Sequence, residues 1–106
     1  MTTVILQYFN GCPNWLQTEA LLHEALTIAG RDDVRVERQR VETVSAAVRE
    51  GFIGSPTVLI DGIDPFAVPG AQPGLACRVY STPGGLSGSP TLDQLLQVLG
   101  AQRTEG

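Results

Sequence analysis

Val4-Ile5-Leu6-Gln7-Tyr8-Phe9-Asn10-Gly11-Cys12-Pro13-Asn14-Trp15 reads as three things in succession. Val4 to Phe9 is an apolar and aromatic run broken only by Gln7, the pattern of a buried strand. Asn10-Gly11 is a turn signal. Pro13 suits the first position of a helix, where a missing N–H leaves nothing unpaired. Cys12 is thereby set at or just before a helix N-terminus, among unpaired backbone N–H groups and the positive end of the helix dipole. Such a place favours a thiolate and can lower a cysteine pKa.

Outward from this stretch, Leu22, Leu26 and Ala29 recur at helical spacing between Trp15 and Ala29, beside Leu21, Ala25 and Ile28. Gly30 stands where a helix should end, and Arg31-Asp32-Asp33 is a polar loop. Val34 to Val41 alternates as a half-buried strand does. Thr43 starts a short helix through Val44, Ala47 and Val48, stopped by Gly51. A strand–helix–strand crossover of this length makes the first two strands parallel. Ser55-Pro56 leads into the strand Thr57 to Ile60, which leaves through the turn dipeptide Asp61-Gly62. Ile63 to Ala76 carries Pro65, Pro69 and Pro73, and is long enough to be a functional loop. Cys77 to Ser81 is expected as a fourth strand and Pro83 to Pro90 as a loop. Thr91 caps a last helix bearing Leu92, Leu95, Leu96 and Leu99, closed by Gly100. The expected order is βαβαββα.

The chain has 106 residues and fits one domain, 1–106, with Ala101 to Gly106 as a frayed tail. A chain of this length buries about 65% of the surface it exposes unfolded, enough for a core without staples. Its composition, 42% hydrophobic and 17% charged, argues against wholesale disorder. Seven scattered arginines, no lysine and a net charge of −4 leave no basic footprint for nucleic acid. Two cysteines are too few for a secreted disulfide scaffold or a structural zinc site, so no metal is expected. Neither a signal peptide nor a membrane span is expected, and the default compartment is a reducing cytoplasm.

The pattern resembles the thioredoxin-like superfamily. The resemblance rests on the strand, the Cys12-Pro13-x-x helix start, the following βα unit, Ser55-Pro56-Thr57-Val58-Leu59-Ile60-Asp61-Gly62, and a closing strand and helix. It is similar to glutaredoxins in the Ser-Pro strand ending in Asp-Gly. The resemblance implies a four-stranded mixed sheet with helices on both faces, Pro56 as a cis-proline, and Cys12 as the attacking thiol. It further implies that Ser55, Pro56 and Thr57 hold the backbone of a protein or small-molecule thiol or disulfide. The chain also looks like short actinobacterial proteins labelled thioredoxin-family or alkylmercury-lyase-like, which share Gly-Cys-Pro-Asn-Trp and a late Cys-Arg-x-Tyr, here Cys77-Arg78-Val79-Tyr80. Where dithiol members place a second cysteine three residues after the first, this chain has Trp15, so the implied activity is monothiol exchange. No basic residue lies between Val4 and Leu16, so glutathione is not implied, and no cofactor is.

Cys77 stands open between two roles. Its alternation with Val79 on one face of a strand assigns it to packing. The resemblance implies that the strand after the cis-proline starts near the active cysteine and runs away from it. Five strand residues span about 17 Å, so a simple hairpin would return Cys77 at the far pole, beyond the roughly 4.4–6.8 Å Cα separation of a disulfide. Only the Ile63–Ala76 loop could carry it back to act as a second or resolving thiol. Pro13, Asn14 and Trp15 flank the site, Trp15 as a cover or packed on the sheet. His23, about three turns along the helix, is a surface position. Asp61 and Asp64 are turn residues, Asp64 serving as a proton donor only if the long loop folds over Cys12. Three functions fit: thiol–disulfide exchange at Cys12, organomercurial or soft-metal handling by Cys12, Cys77 and Asp64, and a non-catalytic binding module.

Overall fold

In a computed structural model that describes residues 2–31 and 33–100, β1 (Val4–Tyr8) is the central strand of a three-stranded mixed sheet. β2 (Val36–Arg40) pairs with it in parallel, Val4 opposite Val36 and Tyr8 opposite Arg40. β3 (Thr57–Ile60) pairs on its other side in antiparallel register, Val4 opposite Ile60 and Leu6 opposite Val58. The period of two along a strand therefore sends Val4, Leu6, Val58 and Ile60 to one face. There they meet Leu22, Ala25 and Leu26 of α1 (Asn14–Ile28) and Leu95 and Leu99 of α3 (Leu92–Gly100), all buried. Burying each of these valine, leucine and isoleucine side chains contributes about 1.5–3 kcal/mol, so this face is the main core. α2 (Val44–Glu50) belongs to a second cluster in which Ala47 meets Val41 and Phe52, with Phe9 and Leu75 packed against them.

The helix ends follow from single residues. Gly30 adopts a left-handed conformation, φ 72°, its N–H bonding Thr27 and that of Arg31 bonding Leu26; this satisfies carbonyls left over at the end of α1. Thr43 accepts from the Ala46 N–H at 3.0 Å to start α2. Thr91 and Gln94 exchange bonds at α3, Thr91 Oγ1 accepting from the Gln94 N–H at 3.1 Å and Gln94 Oε1 from the Thr91 N–H at 2.9 Å, a reciprocal capping box. Asp61 and Gly62 both have positive φ, and Ile60 and Ile63 close the tight turn between them.

The expected fourth strand of the sheet does not form. Of Cys77–Ser81, Cys77 makes one parallel bridge to Ser55. The ladder has no donor at the next residue, Pro56. The chain instead forms a separate hairpin of β4 (Tyr80–Thr82) and β5 (Gly85–Ser87), Tyr80 opposite Ser87. Part of the stretch expected as a loop, Pro83 to Pro90, is thus a strand, and the order is βαβαβββα. Among the described residues no helix is long and apolar enough to cross a membrane. The tail expected at 101–106 lies outside the described residues.

Candidate functional site

Cys12 immediately precedes Pro13, the N-cap of α1, which has no capping side chain and no acidic residue in its first turn. Its own N–H donates to the Phe9 carbonyl at 3.2 Å, closing the turn out of β1. The residue is fully buried. Its sulfur is bonded to that of Cys77, the two Cα atoms 5.6 Å apart across a sequence separation of 65. The Ile63–Ala76 loop does what a simple hairpin could not and returns the chain to the pole of Cys12. The assignment of Cys77 to packing is corrected. Cys77 and Val79 lie on the exposed side of this segment, and Arg78 and Tyr80 face inward.

Arg78 is the reason for that inversion. Its side chain is 4% exposed and paired with Asp64, Nη1 donating to Oδ2 at 2.8 Å. Nη1 also donates to Thr57 Oγ1 at 3.1 Å, and Nη2 donates to the Phe66 carbonyl. The guanidinium lies 4.5 Å from the Tyr80 ring centroid, and Phe66 meets the same ring edge-on. A buried guanidinium requires this many partners. Asp64 is therefore more than a turn residue: it accepts from the Phe66 N–H at 2.9 Å and anchors the start of the loop to its end. The motif Cys77-Arg78-Val79-Tyr80 is visible in the sequence, but no local pattern marks the parts that Arg78 and Tyr80 play.

The Ser55–Pro56 peptide is cis, as the resemblance implied. The groups expected to hold a substrate backbone are, however, taken by the chain itself. Ser55 donates its N–H to the Ala76 carbonyl at 2.8 Å, and its carbonyl accepts from the Arg78 N–H at 2.8 Å. The Pro56 carbonyl accepts from the Tyr80 hydroxyl, and Thr57 Oγ1 donates to the Gly54 carbonyl at 2.6 Å. Ser55, Pro56 and Thr57 are all buried. Gly54 permits the approach: its φ is 142°, and a Cβ there would lie 2.9 Å from the Arg78 Cβ. The segment Ala76–Arg78 thus lies along the Ser55 edge, with the Cys12 sulfur 3.6 Å from the Ser55 carbonyl oxygen.

Burial holds the Tyr80 phenol above the usual tyrosine range; the Arg78 charge opposes this and the Asp64 charge adds to it. The protonated phenol is the form that donates to Pro56. A folded pKa raised above the unfolded value gives stability complete below pH about 10 and lost as pH rises above it. Urea unfolding at pH 8 and at pH 10.5 should show this loss in the parent chain. Tyr80→Phe should abolish that part of the loss and cost about 1–3 kcal/mol at pH 8, where the Pro56 carbonyl is left without its donor.

The remaining residues are placed as follows. Trp15 packs on the sheet, its ring 4.3 Å from Tyr8 and 5.0 Å from the Arg38 guanidinium. Arg38 in turn binds Glu19 on α1, and this bond holds the Glu19 carboxyl below its usual range. Pro13 is exposed and Asn14 half-buried, beginning α1. His23 is exposed on α1, away from the chemistry. Among the described residues no three His, Cys, Asp or Glu side chains gather as a metal site. No family model matches the sequence, and neither a curated protein nor a solved structure matches it.

Proposed function

We propose that the chain is a thioredoxin-like thiol–disulfide exchange protein whose reactive unit is the Cys12–Cys77 pair. The observation that carries this reading is the convergence of two cysteines, 65 residues apart, at the start of a helix beside a cis-proline. The parallel β1–β2 unit, the antiparallel β3 and the order of helices support the fold assignment, the β4–β5 hairpin standing in place of a fourth sheet strand. Exchange at a pair replaces the monothiol chemistry expected from Trp15, because Cys77 supplies the second sulfur from elsewhere in the chain. The substrate is a protein or small-molecule thiol or disulfide. In a reducing compartment such as the cytoplasm, the bond would be transient, formed and broken with each exchange.

Equilibration in defined thiol–disulfide buffers, with the redox state trapped by alkylation, tests the proposal. The expected midpoint lies between about −120 and −270 mV, the range of exchange proteins; a midpoint below about −300 mV marks a purely structural bond and overturns the proposal.

A second reading, soft-metal or organomercurial handling, draws on the same convergence, since two thiolates at one place are suitable soft ligands. It stands behind the first because Asp64, the acid it would need, is committed to Arg78.

A further inference from the structure

We infer that Cys77, not Cys12, is the sulfur that takes the incoming thiol and carries the mixed disulfide, with Cys12 as the sulfur displaced. This rests on the exchange reading and assigns the roles within it. Thiol–disulfide exchange depends on which sulfur a thiolate can reach as well as on the reactivity of each. The two halves of this bond differ sharply in access. Cys12 is fully buried, enclosed between the start of α1 and the Ser55 carbonyl. Cys77 is exposed, between exposed Ala76 and exposed Val79, on the far end of the long loop.

The neighbours of Cys77 point the same way. The Ala76 carbonyl and the Arg78 N–H, on either side of it, are both bonded to Ser55, so the backbone holds this exposed residue in place. Arg78 is tied down by Asp64, Thr57 and Phe66, which keeps the segment in place when the sulfur–sulfur bond is broken. Cys12 stays behind at the helix start, where unpaired N–H groups can receive a thiolate.

The step balances as an exchange of two electrons with a dithiol partner. One partner thiolate attacks the Cys77 sulfur, forming a partner–Cys77 disulfide and releasing Cys12 as a thiolate. The partner's second thiolate then attacks its own bonded sulfur and releases Cys77 as a thiolate. The partner is oxidised to a disulfide, and the Cys12–Cys77 pair is reduced. In reverse, Cys77 attacks a partner disulfide and Cys12 resolves the intermediate.

The test uses the full oxidised chain and a small monothiol, 2-mercaptoethanol, with acid quenching, alkylation and peptide mapping by mass spectrometry. At early times the adduct should sit on the Cys77 peptide at least tenfold over the Cys12 peptide. An equal distribution, or an excess on Cys12, overturns the assignment. The single-thiol variants Cys12→Ser and Cys77→Ser give a second readout with an aromatic disulfide reagent. The Cys77 thiol should react at least tenfold faster than the Cys12 thiol, and the reverse order overturns the assignment. The two failures are separable: an adduct on Cys12 with a midpoint in the exchange range removes only the role assignment, whereas no adduct on either cysteine removes both.

Discussion

Breaking the Cys12–Cys77 bond should lower the folding free energy by about 4 kcal/mol. The bond spans a sequence separation of 65, and in the chain-entropy account such a cross-link removes a large set of conformations from the unfolded chain. A domain of this length is stable by only about 5–15 kcal/mol, so the loss is a large share of the total. Urea unfolding of the oxidised chain, the reduced chain and the Cys12→Ser/Cys77→Ala double variant measures it. With a slope of about 1–3 kcal/mol per molar, the midpoint should fall by more than 1 M. The reduced chain and the double variant should agree. Coincident curves for oxidised and reduced chains would refute the expectation. By linkage the same difference makes the pair harder to reduce in the folded chain than in the unfolded one, by about 90 mV. Exchange chemistry at this pair therefore competes with the stability it confers.

Arg78→Ala should cost about 3–5 kcal/mol, close to the loss from breaking the disulfide, although Arg78 is no part of that bond. The substitution removes one partner of a mostly buried ion pair and leaves Asp64 without its cation. It also strips Thr57, the Phe66 carbonyl and the Tyr80 ring of their shared guanidinium. Arg78→Lys should recover little, since a single ammonium cannot reach these partners in the planar fork that guanidinium offers. Arg78→Met combined with Asp64→Asn should recover more, because no lone buried charge remains. A double-mutant cycle in urea, run on the oxidised chain, separates the pair from its surroundings. A cost below about 1 kcal/mol for Arg78→Ala would show the pair to be worth no more than a surface ion pair.

The parts of the fold legible in the sequence were those decided locally. Gly30, Thr43, Gly51 and Thr91 mark the helix ends because each satisfies backbone groups within a few residues of itself. The parallel pairing of the first two strands followed from the crossover, and the β3 turn from Asp61-Gly62. The position of Cys12 before α1 was also local. The partner of Cys12 was not. Alternation along Cys77–Ser81 puts a cysteine and a valine inside and an arginine outside, since a charge is costly to bury alone. Arg78 is not alone: Asp64 lies 14 residues earlier and Thr57 lies 21 earlier, and neither partnership shows in a local pattern. With Arg78 turned inward, Cys77 turns outward, and the expected fourth strand is lost with the same inversion. The hairpin that replaces it did carry a signal, the turn dipeptide Pro83-Gly84 between Thr82 and Gly85.

The 12–77 bond has a further consequence for the integrity of the molecule. It closes a covalent ring that contains α1, β2, α2, β3 and the long loop, with β1 attached on one side and the hairpin and α3 on the other. The loop from Ile63 to Ala76 lies at the surface of that ring, with Pro65, Val68, Pro69 and Gly70 all exposed. A single proteolytic cut there leaves the oxidised chain one molecule, its two pieces still joined through sulfur. The same cut in the reduced chain divides it in two.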